Sequence, residues 1–368
     1  VLGTYSSGMS GAPVVDYTAT SARPPWSALP SSLRTALAVA LGTEIVEAGP
    51  SVGSGFTGGF AAPLKLADGR EVFVKATDDT LHSYRAYQRE AEVVPQLPTT
   101  IHVPRIVATA HASAPIATTA PSAPRETAPI APQAPESSAP RGTSEGEVRW
   151  FAVVSERIAG RMPGLPWTAE DFATVTATCE LMAAALTPSP FAGLRPFTDS
   201  IAASDFPDQL PAEILTGQRA LPDGFQPWLG DRLREIQDLV DLYPVTLAGT
   251  SAMHTDLRPD NLLLDSANTC WTVDWNWLSL GPSWFDWFCL LPLAHRDGID
   301  TAAAIKASPL TAGVPAEHLD SVAAIIGTYM LNKLDAPPPL GCTIELRRHQ
   351  RLYAWAFLDW LAIRRDWA

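Results

Sequence analysis

Cysteine is scarce: four in 368 residues, widely spaced, with no C-x-x-C pair. That spacing excludes a disulfide framework and a thiolate zinc site. Three of Cys179, Cys270, Cys289 and Cys342 sit among apolar neighbours and read as small buried hydrophobes. Basic residues are also in deficit, 26 Lys and Arg against 39 Asp and Glu, for a formal charge of −13. A general nucleic-acid binder is thereby disfavoured, because phosphate backbones are held by clustered Lys and Arg. No apolar run approaches the ~20 residues that span a bilayer. The first thirty residues lack a basic start followed by an apolar core, so no secretory signal is read and a cytoplasmic, reducing location is the default expectation.

What remains is a chain 46% hydrophobic and 18% charged, in the range of globular proteins and long enough for one large domain or two lobes. The acidic balance reads first as solubility and second as steering of a cationic small molecule.

Residues 1–30, rich in Gly, Ser, Ala and Pro, read as a flexible tail, with 1–8 an unstructured lead and Met9 a candidate start. A helix is expected from Ser31 or Ser32, because Leu33, Leu37 and Leu41 recur at helical spacing. Strand-like runs follow at Glu44 to Ala48, Phe60 to Leu66 and Glu71 to Lys75, with Asp68-Gly69 as a hairpin turn. A helix over Thr80 to Val94 would bury a stripe of Tyr84, Tyr87, Ala91 and Val94. Strands at Val103 to Val107 and Arg149 to Ile158 complete a small α+β lobe over 31–158. Between these two strands, residues 108–147 are dominated by Ala, Pro, Ser and Thr, which points to a disordered insertion. From about Thr168 the chain turns helical, and 159–368 reads as a larger, mostly helical lobe. Expected helices are Glu170 to Leu186, Gly230 to Leu242, Leu319 to Leu334 and Ile344 to Arg365. Short strands at Asn261 to Leu264 and Trp271 to Val273 lie among them. A hinge near Ser155 to Gly160 would open a cleft between the lobes.

The chemistry concentrates in His254-Thr255-Asp256-Leu257-Arg258-Pro259-Asp260-Asn261, followed by Val273-Asp274-Trp275. Asp256 is a candidate base, Asn261 and Asp274 are hard oxygen donors suited to Mg²⁺, and Arg258 is a nearby cation. This spacing resembles the catalytic and metal-binding loops of the aminoglycoside phosphotransferase and choline kinase-like family, relatives of the protein kinases. Val273-Asp274-Trp275 in place of Asp-Phe-Gly, and Thr255 in place of arginine, point to its small-molecule branch.

The resemblance runs in order over roughly residues 45 to 295. It implies a two-lobed protein-kinase-like α+β fold: an N-lobe with an antiparallel sheet and one key helix, and a larger helical C-lobe. It also implies Mg²⁺-dependent transfer of the γ-phosphate of ATP, or alternatively of GTP, to a hydroxyl of a small molecule. Asp256 would orient the acceptor hydroxyl. Arg258 would either touch the γ-phosphate or stay solvated in the loop. Asn261 and Asp274 would hold the metal, and His254 would pack under the loop. Asp286, in Gly281-Pro282-Ser283-Trp284-Phe285-Asp286, would brace it through backbone N–H groups.

Upstream, Gly53-Ser54-Gly55 would cover the phosphates with backbone N–H groups. Lys75, ending a strand, would pair with phosphates and with a helix carboxylate. At ~100° per residue Glu90 lies nearer the helix's apolar stripe than Glu92 and is the better partner. Backbone groups of Ser155 and Arg157 are the candidates to hold the purine edge.

The acceptor is unnamed: an aminoglycoside-like compound, another antibiotic or a metabolite are all open. Acidic residues available to it include Glu170, Asp171, Glu180, Asp205, Asp208 and Asp231, although Glu170-Asp171 also suit a helix N-terminus. The competing reading is a non-catalytic nucleotide-binding module that recruits a partner through the proline-rich segment. A kinase acting on protein is a third.

Overall fold

The computed structural model describes residues 13–115, 146–203, 209–225 and 227–367. The small half is an antiparallel sheet in the order β1-β2-β3-β5-β4: β1 (Ile45–Ala48), β2 (Phe60–Leu66), β3 (Glu71–Asp78), β4 (Ile106–Pro115) and β5 (Glu147–Glu156). The Asp68-Gly69 turn closes β2 onto β3 with Gly69 at φ +87°, a conformation a Cβ would oppose. Helix α1 (Ser31–Leu41) lays Leu33, Leu37 and Leu41 on one sheet face, against Leu64, Val74 and Val154. Helix α2 (Ser83–Val93) lies across β3 and β5, its Tyr87 packed on Phe151 and Val153.

Three expectations change. Strands β4 and β5 continue into the segment read as an insertion and pair as far as Pro115 with Glu147. Ala108, Ala110, Ala112 and Ala114 alternate along β4 at period two, on the face α1 covers. Their small side chains leave room for that helix, so the low apolar bulk that suggested disorder is here a packing requirement. Residues 116–145, the rest of the expected insertion, lie outside the described residues.

The second change concerns α2: Tyr87 and Val94 of the expected stripe are buried, Tyr84 and Ala91 are half-buried, and the buried face also takes in Ser83, Ala86, Glu90 and Val93.

Third, residues 13–30 are packed rather than trailing, with Tyr17, Thr20 and Leu29 at most 5% exposed. Ser21 N–H donates to Gly53 O at 2.9 Å and Ala22 N–H to Gly341 O at 3.0 Å. Tyr17 Oη meets His349 Nδ1 at 2.9 Å. The segment straps the glycine-rich loop to the C-terminal helix Glu345–Arg364. Its order comes from hydroxyls meeting backbone carbonyls, which needs no hydrophobic period. Residues 1–12 lie outside the described residues.

The large half is built from helices, chiefly α3 (Ala169–Ala185), Pro227–Asp241, Ala316–Asn332 and Glu345–Arg364. Thr168 caps α3 by accepting from Asp171 N–H at 3.1 Å. The core is aromatic, with Trp275, Trp287, Phe285, Phe288 and Phe357 all below 2% exposure. Embedded in it are β6 (Gly160–Arg161), β7 (Ser251–Met253), β8 (Leu262–Asp265), β9 (Cys270–Thr272) and β10 (Ser279–Gly281), as a β6-β8-β9 sheet and a β7-β10 pair. Cys179 and Cys270 are buried and free. Among the described residues no helix is long and apolar enough to cross a membrane.

Candidate active site

The loop after β7 is fixed from beneath. His254 is fully buried; its Nε2–H donates to Val273 O at 2.8 Å, so Nδ1 is left to accept from Asp256 N–H at 3.3 Å. A carbonyl can only accept, and this sets the tautomer. Asp286, at the start of the helix Phe285–Phe288, accepts His254 N–H at 2.7 Å and Thr255 N–H at 2.9 Å. Thr255 stands at φ +64°, unfavourable for a β-branched residue, and its Oγ1 donates to Trp277 O at 2.7 Å. Replacing Asp286 by Ala would orphan two buried N–H groups at this strained turn. We expect Asp286→Ala to cost about 2–4 kcal/mol in denaturant unfolding; an unchanged midpoint would remove the brace.

Asp256 faces Arg258 and Asn261. Asn261 Nδ2 donates to Asp256 O at 2.7 Å and lies 3.3 Å from Asp256 Oδ2. Arg258 Nη1 pairs with Asp256 Oδ1, while its Nε and Nη2 grip both oxygens of Asp260 at 3.0 Å. With a side chain 13% exposed, and its guanidinium 4.9 Å from the Phe56 ring centroid, Arg258 is not a solvated loop residue. Burial lifts the Asp256 carboxyl to about 6, against the pull of Arg258 and with the push of Asp260 and Asp274. Its rim still reaches solvent, the side chain being 29% exposed.

Asn261 and Asp274 stand at adjoining ends of the β8–β9 hairpin, where Val273 N–H donates to Asn261 O at 3.0 Å. Asp274 takes φ +64°. The Asn261 Oδ1 is buried with no hydrogen-bond partner. A buried acceptor without a donor is costly unless something fills it, and a hard cation suits an amide oxygen beside a carboxylate. Among the described residues no cluster of three or more His, Cys, Asp or Glu could hold a metal. An orphaned amide oxygen beside a carboxylate fits Mg²⁺, which takes one or two carboxylates and completes its shell with phosphate and water.

Lys75 joins the halves. Its Nζ lies 2.9 Å from both oxygens of Glu90 and also contacts Asp274 Oδ1. The Tyr87 ring centroid is 5.9 Å away. Burial opposes the ammonium charge, but Asp274 and Glu90 outweigh it and hold Lys75 above its ordinary range. Burial likewise opposes the Asp274 carboxylate, yet Lys75 holds it below its usual value.

These groups form the polar end of a cavity of about 250 Å³. Phe73, Val103, Ile158 and Leu263 make its apolar part, a slot of the kind a planar base fills. Ser54 and Gly55 line it and Gly53 does not. A Cβ at Gly53 would meet Thr18 O at 2.1 Å, so that glycine answers to the strap. Ser155 reaches the cavity together with Glu156 and Ile158, whereas Arg157 is outside the lining and its side chain pairs with Glu71. Asp171 is tied to Arg161 through both oxygens, Glu180 accepts from Ser308 Oγ at 2.9 Å, and Asp205 and Asp208 lie outside the described residues. Sequence reasoning missed Asp260, Arg23 and Phe56. None of the three had a sequence signal that would have singled it out.

Two lobes joined through Lys75, with an Asp256–Asn261–Asp274 constellation at the joint, define a protein-kinase-like phosphotransferase. Residues 56–320 match the profile of the phosphotransferase enzyme family, and the chain belongs to that family. It is a phosphotransferase enzyme. The fold is shared with solved structures at low identity. Aminoglycoside phosphotransferase APH(4)-Ia is 14% identical over 88% of this chain and 95% of that one, with a TM-score of 0.51. A thermostable mutant of it, in ternary complex with AMP-PNP and hygromycin B, is 14% identical over 91% and 99%, at 0.50. An aminoglycoside phosphotransferase from Alicyclobacillus acidocaldarius subsp. acidocaldarius DSM 446 is 14% identical over 94% and 97%, also at 0.50. No curated protein matches the sequence.

Proposed function

We propose that the protein transfers the γ-phosphate of ATP or GTP to a hydroxyl of a small molecule, with Mg²⁺ held by Asn261 and Asp274. The observation that carries this reading is the triple contact of Lys75, Glu90 and Asp274 at the polar end of an apolar slot. A base in the slot would take its hydrogen bonds from the backbone near Ser155 to Ile158, and its phosphates would extend toward Lys75 under Ser54 and Gly55. Bound Mg²⁺ would neutralise the phosphate charge that grows on transfer. Asp256 orients the acceptor hydroxyl and accepts its proton. Arg258 holds Asp256 in place and is itself anchored by Asp260. Glu90 aims Lys75. His254 and Asp286 keep the loop in its strained turn.

Acceptor class is read from charge. The chain's −13 balance favours cationic acceptors by steering, and a fold neighbour is known bound to hygromycin B. Aminoglycosides are the first class to try.

A nucleotide needing metal should stabilise the fold only when both are present. We expect Mg·ATP or Mg·GTP at about a hundred times its Kd to stabilise the protein by ~2.7 kcal/mol in thermal-shift titration. Chelator should abolish most of the effect. No shift with either nucleotide would sink the reading. A shift without nucleoside diphosphate release across a panel of aminoglycosides and other hydroxylated compounds would instead remove the catalytic half of it.

A further inference from the structure

Two cations line the cavity, and they are unequally partnered. Lys75 faces two carboxylates, Glu90 and Asp274. Arg23, contributed by the strap and outside the stretch that matches the family, forms no ion pair among the described residues, its charge reaching Asp274 only at longer range. Its Nη1 donates to Gly59 O at 2.7 Å and reaches Tyr87 Oη at 3.4 Å, and its Nη2 donates to Ser54 O at 2.8 Å. Nε is buried with no partner, and Nη2 carries two hydrogens with one acceptor. The guanidinium thus keeps donor capacity unused, of the kind a phosphate or carboxylate takes up. The carbonyls it does hold belong to the glycine-rich loop, on either side of Gly55.

Charge counting makes the vacancy of a partner meaningful. Lys75 is outnumbered by its own two carboxylates, and Arg258 by Asp256 and Asp260. A polyphosphate entering this space adds negative charge to a region whose other cations are already committed. Arg23 is the lining cation left to balance it.

We propose that Arg23 is a phosphate-binding residue of the nucleotide site, contacting the polyphosphate while it also clamps the glycine-rich loop. The strap is then part of the nucleotide site. This rests on the nucleotide-kinase reading above, and the test separates the two.

The experiment is calorimetric titration of the full chain with Mg·ADP, Mg·GDP and the corresponding nucleosides. Arg23→Ala should weaken diphosphate binding by about tenfold to a hundredfold, as loss of a charged hydrogen bond does. Nucleoside binding should change by less than ~threefold, because a nucleoside carries no phosphate for the guanidinium to meet. Arg23→Lys keeps a cation but not the double grip on the loop, and should retain most of the preference for diphosphate. Arg23→Gln removes the charge but keeps amide donors for the loop carbonyls; it should lose diphosphate affinity comparably and serves where the alanine variant fails to fold. Thr20→Val removes hydroxyl contacts to Gly53 O and Gly55 O without removing charge. It should weaken diphosphate binding through the phosphate-covering loop alone, and by less than Arg23→Ala does. A diphosphate loss in Arg23→Ala no larger than that in Thr20→Val would reduce Arg23 to a loop clamp and overturn the proposal, as would diphosphate affinity unchanged in Arg23→Ala. Failure of the unmodified protein to bind any nucleotide would overturn the proposed function and this inference with it.

Discussion

Asp256→Asn is expected to lower phosphoryl transfer by about a thousandfold, within the range general-base loss produces, while nucleotide binding stays near the unmodified value. Asparagine matches the shape of the side chain but cannot accept a proton. The loop should survive the change, because Arg258 keeps its bidentate grip on Asp260 and Asn261 Nδ2 still meets the backbone carbonyl at position 256. Stability should not fall either. The Asp256 carboxyl is raised from 3.8 to about 6, so its contribution to stability is present below 3.8 and is lost as pH rises through 6. At pH 7 the ionised group is therefore held at a cost, which a neutral amide relieves. Ligand-free Asp256→Asn should melt at an equal or higher temperature than the parent, as removal of a strained functional group often does. Single-turnover rates and thermal melts measure the two effects separately. Retained turnover would remove Asp256 as the base, and a large drop in melting temperature would mean that the carboxylate was holding the loop.

How much of this was legible beforehand varies with the kind of interaction. Phe60 to Leu66 was read with its correct ends because alternation and a Gly turn are local signals. The Lys75–Glu90 pair was legible through spacing, although the reasoning put Glu90 at the edge of the apolar stripe. In the structure Glu90 lies inside the buried face, since a paired charge can be buried where a solitary one cannot. Asp260 was overlooked because an acid after proline in a loop normally reads as a turn residue. Its burial depends on Arg258 turning inward, a three-body arrangement with no linear signature. The strap was misread for a related reason. Thr20, Ser21 and Arg23 order it by meeting carbonyls of the glycine-rich loop, more than thirty residues on in sequence, and such contacts have no period. Arg157 shows the opposite limit: the hinge strand was recognisable, but which residues of it border the cavity depends on the chain's path beyond β5.

Lys75→Met should be the most damaging single change to both folding and nucleotide binding. Methionine fills the stem's volume and removes the ammonium, leaving Glu90 and Asp274 face to face in a site where the two side chains are 10% and 30% exposed. Breaking a buried charge group by removing one member costs about 3–5 kcal/mol, because the remainder keeps its desolvation penalty without its partner. The pH dependence distinguishes this cause from simple packing. In the parent, Lys75 depresses Asp274, so that contribution is present above the unfolded carboxylate value and is lost as pH falls, while burial already holds Glu90 above its usual value and sets a smaller opposite trend. In the variant, two unpaired carboxylates rise above their unfolded values, so stability is recovered as pH falls and they protonate. Both net trends narrow the gap between parent and variant on acidification. Denaturant unfolding at pH 7 and again near pH 5 should show the difference shrinking; a constant gap would place the loss in packing. Binding should not follow the same course, since protonating the carboxylates cannot restore a cation to the phosphate end. Mg·nucleotide affinity is expected to remain at least tenfold weaker at both pH values, the loss of one charged hydrogen bond. A variant that folds well at pH 5 and still binds nucleotide poorly would separate the two roles that converge on one ammonium, holding the lobes together and holding phosphate.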